Sequence, residues 1–267
     1  MLSQMHTARV AEAFDSVAER FEATLENDIT RGIRSKLYTL IDSLVLRGSE
    51  ILDINCGIGI DAVELAQKGY RVTGADLAPN MIQQARLRSR QYKQNIEFIE
   101  TSFEDLSLLS GKTFDLVLSN FGGLNCVPLL NRVVEEVTRV VKPGGYFIAV
   151  VMPRVSLWEL VAGITRLNFG FAFRRLPKNV QATGFDGKQF TVTYYSPRAF
   201  AAAFSRSFKV EQVRGLNVIS PPPHATKFAA RFQRLSHWLE QIEDACASLP
   251  LFRSVGDHFV MVLRRTR

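Results

Sequence analysis

The sequence predicts a doubly wound α/β fold, with helices on both faces of a mostly parallel sheet. The first observation behind this is the alternation of short β-rich runs with helical runs between residues 51 and 152. The second is the Gly and Pro punctuation at the ends of those helical runs. The third is size: 267 residues, 46% of them hydrophobic, can bury a large core within one unit. The strands read as ILDIN (51–55), RVTGAD (71–76), IEFIE (96–100), FDLVLSN (114–120) and YFIAVVM (146–152), with two more near 208–214 and 259–264. Between them, the helix at 61–68 stops at Gly69, and Pro79 suits the first position of a helix over 79–90. A third helix starts near Pro128 and is expected to end at Pro143-Gly144-Gly145.

Residues 7–45 read as two amphipathic cap helices, with Val10, Phe14, Val17 and Phe21 at helical spacing. The alternating core spans 46–152, and two irregular insertions, 153–195 and 215–256, are expected to form a lid over a pocket at its edge. The second contains an amphipathic helix over 225–247, whose apolar stripe and nearby Lys227, Arg231 and Arg234 suit packing as a lid better than lying on a membrane.

The three cysteines lie far apart without a CxxC pair, so neither a disulfide framework nor a zinc site is expected. No apolar run reaches the roughly 18 residues of a spanning helix, and residues 1–10 lack the order of a secretion signal, which points to the cytoplasm without stable membrane insertion. A net charge of +7 is read as a basic solvated face.

The most informative run is Asp53-Ile54-Asn55-Cys56-Gly57-Ile58-Gly59-Ile60-Asp61, a strand turning tightly into a helix. Asp76 ends the second strand, where a carboxylate can accept hydrogen bonds from both hydroxyls of a ribose. Gly57-x-Gly59-x-x-Ala62 also fits the loose dinucleotide fingerprint. Asp53 and Asp61, however, put negative charge where a pyrophosphate wants an unopposed helix N-terminus, which disfavours an NAD-dependent oxidoreductase. The same acids would attract S-adenosylmethionine, which carries an ammonium and a sulfonium and no phosphate.

These motifs, in this order, resemble the class I S-adenosylmethionine-dependent methyltransferases. The acidic-x-Gly-x-Gly-x-Gly turn appears as Asp53, Asn55, Gly57 and Gly59, and the ribose acid as Asp76 followed by Leu77. Phe114-Asp115-Leu116-Val117 is similar to the family's fourth strand, and Lys142-Pro143-Gly144-Gly145 to the turn before its fifth. The resemblance implies a Rossmann-like seven-stranded sheet with a final antiparallel strand, in a three-layer α/β/α sandwich. It implies that Phe14, Phe21 and Arg34 close over the methionine end of the cofactor, and it draws in Cys56, Met81, Asn120 and Phe121. Asn55 stands in place of the usual first glycine and is expected to tolerate a positive φ. Ser102 replaces the usual adenine acid, so the adenine contact is expected from Ser102, Phe103 or Glu104.

Methyl transfer is an in-line displacement, so holding acceptor and methyl in register supplies much of the catalysis. The acceptor pocket is expected beyond the fourth and fifth strands. Its lining should be aromatic and basic, drawing on Trp158, Phe169, Phe171, Phe173, Arg174, Arg175, Tyr194 and Tyr195, and so should suit a hydrophobic or weakly acidic small molecule. His258, opening the last strand, is the first candidate for a base, with Asp257 to orient it; Tyr195 and His224 are alternatives, and His224 also lines the expected pocket. Oxygen is the expected methyl acceptor, with nitrogen or carbon open. Ser119-Asn120-Phe121-Gly122 lacks the Pro-Pro-aromatic signature of base-amine enzymes, so no nucleic-acid partner is expected. A non-catalytic cofactor-binding protein is disfavoured by an intact turn beside large pocket-forming insertions. Oligomeric state leaves no trace in the sequence.

Overall fold

The computed structural model describes residues 2–127, 129–177, 179–183, 187 and 189–266. Helix α1 (Leu2–Asp15) gives way to a 3-10 turn (Ala18–Arg20) and the short α2 (Phe21–Leu25), before α3 (Asp28–Leu44). Asn27 causes the last break. Its side chain accepts from the Ile29 and Thr30 amides while Thr30 Oγ1 accepts from its own N–H, a reciprocal capping box. Periodicity over 7–45 missed this division, because the apolar spacing continues across it.

The alternation expected for the middle of the chain follows as β1 (Glu50–Asp53), α4 (Ile60–Gln67), β2 (Arg71–Asp76), α5 (Pro79–Gln91), β3 (Glu97–Glu100), β4 (Phe114–Ser119), α6 (Asn131–Val140) and β5 (Val141–Val151). Gly59 (φ 76°) caps α4, Gly69 (φ 93°) follows it, and Pro79 opens α5. Pro143-Gly144-Gly145 does not end α6, which stops at Val140. The triplet lies inside β5, where the register with β4 shifts between Phe114 and Leu116, and such an irregularity accommodates Pro and Gly. Pro128 lies outside the described residues.

The first insertion is more ordered than its composition suggests. It holds α7 (Leu157–Thr165), α8 (Phe169–Ala172) and a hairpin of β6 (Asn179–Thr183) with β7 (Gln189–Thr193). Helices α7 and α8 meet at Gly163, where a Cβ would come within 2.6 Å of Ala172. Then come α9 (Pro197–Phe204), β8 (Phe208–Leu216), α10 (Thr226–Arg231), α11 (Gln233–Cys246) and β9 (His258–Arg265). The helix expected over 225–247 breaks at Phe232 (φ −123°, ψ 51°), whose ring packs on Phe228 at 5.0 Å.

The seven strands run in the order β3-β2-β1-β4-β5-β9-β8, and only β9 is antiparallel to its neighbours, β5 and β8. The central strands are apolar on both faces, as a sheet covered by helices on both sides requires. On β5 and β9, Phe147, Ala149, Val151, Phe259, Met261 and Leu263 enter one core with Phe200 and Phe204, while Ile148, Val150, Val260 and Val262 enter the other with Ile41 and Leu65. The carboxyl ends of the parallel strands and the start of β9 therefore meet along one edge, where ligands bind in open α/β sheets. No helix among the described residues is long and apolar enough to cross a membrane.

Candidate active site

A cavity of about 530 Å³ opens at that edge. One end is built by the β1–α4 turn. Gly57 (φ 52°) and Gly59 adopt the left-handed backbone the turn needs, and a Cβ on Gly59 would lie 3.0 Å from that of Ala85. Asp76 holds the turn from the side: one carboxylate oxygen accepts from Gly57 N at 2.8 Å, the other from Ala78 N at 3.0 Å. Burial raises the Asp76 pKa against these bonds.

Two further carboxylates share this turn with different fates. Burial pushes Asp61 up, but Arg34 outweighs it, helped by Tyr38 and Asn120, so Asp61 stays ionised. Tyr38 donates to it at 2.6 Å, Asn120 at 2.9 Å, and Arg34 pairs with it. Arg34 also pairs with Glu26 at 2.8 Å and lies 4.6 Å over the Phe121 ring. Asp53 is 1% exposed, and neither of its oxygens finds a hydrogen-bond partner. Burial, then the charge of Asp61, raises its pKa well above the usual range, with the Asn55 amide and Arg34 pulling back in part. An orphaned carboxylate beside two more acids suits a cationic nucleoside and opposes a pyrophosphate.

Asn55 does not take a positive φ. Its side chain is a staple instead: Nδ2 donates to Asn120 O at 2.8 Å and Oδ1 accepts from Ser119 Oγ at 2.6 Å, tying β1 to the end of β4. Gly123 makes room, since a Cβ there would lie 2.6 Å from Asn55 Nδ2. Phe121 beside it has φ 48°, a conformation uncommon for a bulky residue and one that clusters at binding sites.

Of the cofactor set expected from sequence, Phe14, Phe21, Arg34, Asn55, Cys56, Gly57, Asp76, Leu77, Met81, Ser102, Phe103, Glu104, Asn120 and Phe121 line this cavity. Asp53 and Gly59 lie behind its wall, Gly59 because it turns against α5. Helix α1 is pinned across the mouth by His6 Nε2 to Cys126 O at 2.9 Å and Thr7 Oγ1 to Glu104 at 3.0 Å. Those contacts, like Tyr38 on Asp61, join positions far apart in sequence and left no motif to find.

The other end carries His224, Asp257 and His258 with Met152 and Pro223. His258 Nδ1 lies 3.0 Å from Asp257 Oδ2 without the alignment of a hydrogen bond, and its ring meets Phe121 edge-on at 6.2 Å. Burial would raise the Asp257 pKa, but His258 and Arg175 hold it far below the usual range. His224 arrives on a loop fixed by the buried Glu243, whose carboxylate accepts from the amides of Asn217, Val218, Ile219 and Ser220 at 2.8–3.1 Å.

Most of the acceptor set does not reach this end. Tyr195 belongs to the core: its hydroxyl donates to Val127 O at 3.2 Å, its ring packs on Phe200, and burial raises its pKa to about 12. Trp158 packs on Phe228 at 5.2 Å, Phe173 is 44% exposed, and Tyr194 is buried beside Arg175; none lines the cavity. Phe169 and Phe171 point elsewhere as well, and Arg174 and Arg175 are neutralised by Glu159. The described lining is therefore mostly apolar, with more acids than bases among its charged groups, rather than basic.

A family model described as a methyltransferase domain matches residues 51–145. A demethylmenaquinone methyltransferase of Tropheryma whipplei is 31% identical over 183 residues, 66% of this chain and 72% of the relative. A ubiquinone biosynthesis O-methyltransferase of Nitrosococcus oceani is 35% identical over 133 residues, covering 50% of this chain and about half (55%) of that relative. Among solved structures, the 1,6-didemethyltoxoflavin-N1-methyltransferase of Burkholderia thailandensis, with S-adenosylhomocysteine bound, superposes with a TM-score of 0.61 at 15% identity, over 99% of this chain and 91% of that one. A Methanosarcina mazei S-adenosylmethionine-dependent methyltransferase gives 0.59 at 22% identity, over 86% and 98%. At such identities the structures share the fold. With the sheet order, the carboxylate-lined turn and the extent of the sequence match taken together, the chain belongs to the class I S-adenosylmethionine-dependent methyltransferases.

Proposed function

We propose that this protein transfers a methyl group from S-adenosylmethionine to a hydroxyl oxygen of a hydrophobic small molecule, within one domain. The observation that carries the reading is one cavity with a carboxylate-rich turn at one end and His258, beside Asp257, at the other. Its size falls within the range of sites for small ligands rather than polymers.

When bound, S-adenosylmethionine supplies an electrophilic methyl on a sulfonium. Asp76 accepts the ribose hydroxyls, its two oxygens already oriented by Gly57 and Ala78. Asp53 and Asp61 favour the ammonium, while Arg34 takes the carboxylate. Leu77, Met81, Ser102 and Phe103 enclose the adenine. His258, with Nδ1 turned to Asp257, keeps Nε2 for the acceptor hydroxyl and removes its proton as the new O–C bond forms. Phe14, Phe21 and Phe121 exclude water. The names of the relatives refer to quinones, which supports a small hydrophobic acceptor, and one of them specifies O-methylation, which supports oxygen.

The test pairs calorimetric titration of S-adenosylmethionine, S-adenosylhomocysteine and NADH with detection of S-adenosylhomocysteine release from a panel of phenols and hydroxyquinones. Micromolar binding of both adenosyl ligands, lost in Asp76→Ala, is expected. His258→Ala should keep that binding and lose about 10²–10⁴-fold in kcat. Preference for NADH, or turnover confined to amine or carbon acceptors, would overturn the reading.

A further inference from the structure

Behind His258 a chain of charges runs out of the cavity into the first insertion. Arg175 is 4% exposed and bridges two buried carboxylates. Its Nη2 donates to Asp257 Oδ1 at 2.7 Å and its Nη1 to Asp257 O at 2.8 Å. Its Nε and Nη2 reach Glu159, which is 1% exposed in the first turn of α7, at 2.5–3.0 Å. Arg174, from the same segment, completes the pairing of Glu159 at 2.5 and 2.9 Å. The other Asp257 oxygen is the one that faces His258 Nδ1 at 3.0 Å. Two carboxylates and two guanidiniums balance, so the cluster is neutral when His258 is neutral. Burying this many charges is costly and rewards the fold little in stability, so a role beyond holding the lid is warranted.

We infer that Arg175 is a positioning residue for His258, through which the α7–α8 segment orients the Asp257 carboxylate. The inference rests on the reading of His258 as base. The forked guanidinium holds Asp257 by a side-chain oxygen and its carbonyl at once, which fixes the carboxylate plane and turns Oδ2 to the imidazole. That selects the tautomer with the proton on Nδ1 and the lone pair on Nε2. The charged and titratable groups around the ring are Asp257 on its own strand, Arg175 with Glu159 and Arg174 behind it, and His224 across the cavity, with Arg34 on the far side of Phe121. Lid and base are thereby one unit: an insertion that unseats α7 and α8 also frees the imidazole.

Four histidines make the test direct. The full-length protein is labelled with 15N-histidine, the His258 ring nitrogens are assigned by His258→Gln, and their shifts are followed against pH. In the wild type the Nδ1–H tautomer is expected at high pH; an Nε2–H tautomer would overturn the inference before any variant is made. In Arg175→Gln the single Nδ1–H tautomer should give way to a mixture, as it should in Asp257→Asn. An unmoved tautomer in an Arg175→Gln variant that keeps the wild-type circular dichroism would refute it. Should Arg175→Gln fail to fold, Arg175→Lys keeps the charge without the fork and should lose the single tautomer; retention of it would refute the positioning role. The base reading fails separately, if His258→Gln transfers methyl groups at the wild-type rate to any acceptor found.

Discussion

Replacing Asp53 with Asn should make the ligand-free protein more stable and its grip on S-adenosylmethionine weaker. In the folded chain this carboxylate is 1% exposed with both oxygens unpartnered, and burial followed by Asp61 lifts its pKa well above 3.8. An acid whose folded pKa is raised holds its proton more tightly folded than unfolded. Stability is therefore lost as pH climbs through the unfolded pKa, and the loss levels off only above the folded one. Each unit of rise corresponds to about 1.4 kcal/mol, and an unsatisfied buried polar group costs about 1–3 kcal/mol, more when charged. Taking about 2–3 kcal/mol at pH 7, and about 2–4 °C per kcal/mol for a chain of this size, Asp53→Asn should gain about 4–12 °C in Tm. The gain should shrink steadily as pH falls to about 3, below the unfolded pKa, where the wild-type carboxyl is mostly protonated in both states. Ligand reverses the sign, because an ammonium beside the carboxylate repays its burial; losing it should weaken binding about 10- to 100-fold, or about 1.4–2.8 kcal/mol. Scanning fluorimetry across pH and calorimetric titration with S-adenosylmethionine read the two effects. A lower Tm at pH 7, or an unchanged Kd in a stabilised variant, would refute the reasoning.

The staple between Asn55 and Gly123 predicts a coupled pair. Gly123→Ala should cost about 1–3 kcal/mol in urea denaturation, most of it recovered in an Asn55→Gly background. Additive effects would dismiss the staple. Glu243→Ala strips the acceptor from four backbone amides and should cost about 3 kcal/mol or more by the same assay, whereas a loss below about 1 kcal/mol would contradict the anchoring of the loop. Tyr195→Phe removes one hydrogen bond in the core, so about 0.5–1.5 kcal/mol of stability should go while kcat stays within about twofold. A tenfold fall in kcat would return Tyr195 to the chemistry.

Local chemistry made the cofactor end legible. Gly57, Gly59 and Asp76 lie within one strand–turn–helix–strand unit, and each is dictated by backbone geometry or charge at a known offset. At the other end of the cavity, only His258 and His224 of the expected residues line it, and the position of His258 follows from the strand it opens. Trp158, Phe173 and Tyr194 are aromatic residues in an insertion, and aromatic composition alone does not distinguish a wall from packing beneath a surface. Arg174 and Arg175 read as a basic lining because their partners, Glu159 and Asp257, are 15 and 82 residues away. Asn55 was visible as a departure from pattern, but its reason was a side-chain bond to the end of β4, 65 residues on. Pairings across such distances are set by tertiary packing, to which periodicity and capping rules are blind.

The position of β9 fixes an order of assembly. It comes after every other strand yet lies between β5 and β8, and β8 joins the sheet only through it. At about 5–20 residues per second, a ribosome needs about 5–20 s to travel from Val151 to His258. For that interval the nascent sheet ends on β5, an apolar strand with an open edge that invites foreign pairing. The glycine turn after β1 is thus finished early and the edge that carries His258 last. A chain stalled or clipped ahead of residue 258 would keep its glycine turn intact while lacking both the imidazole and the strand on which β8 depends.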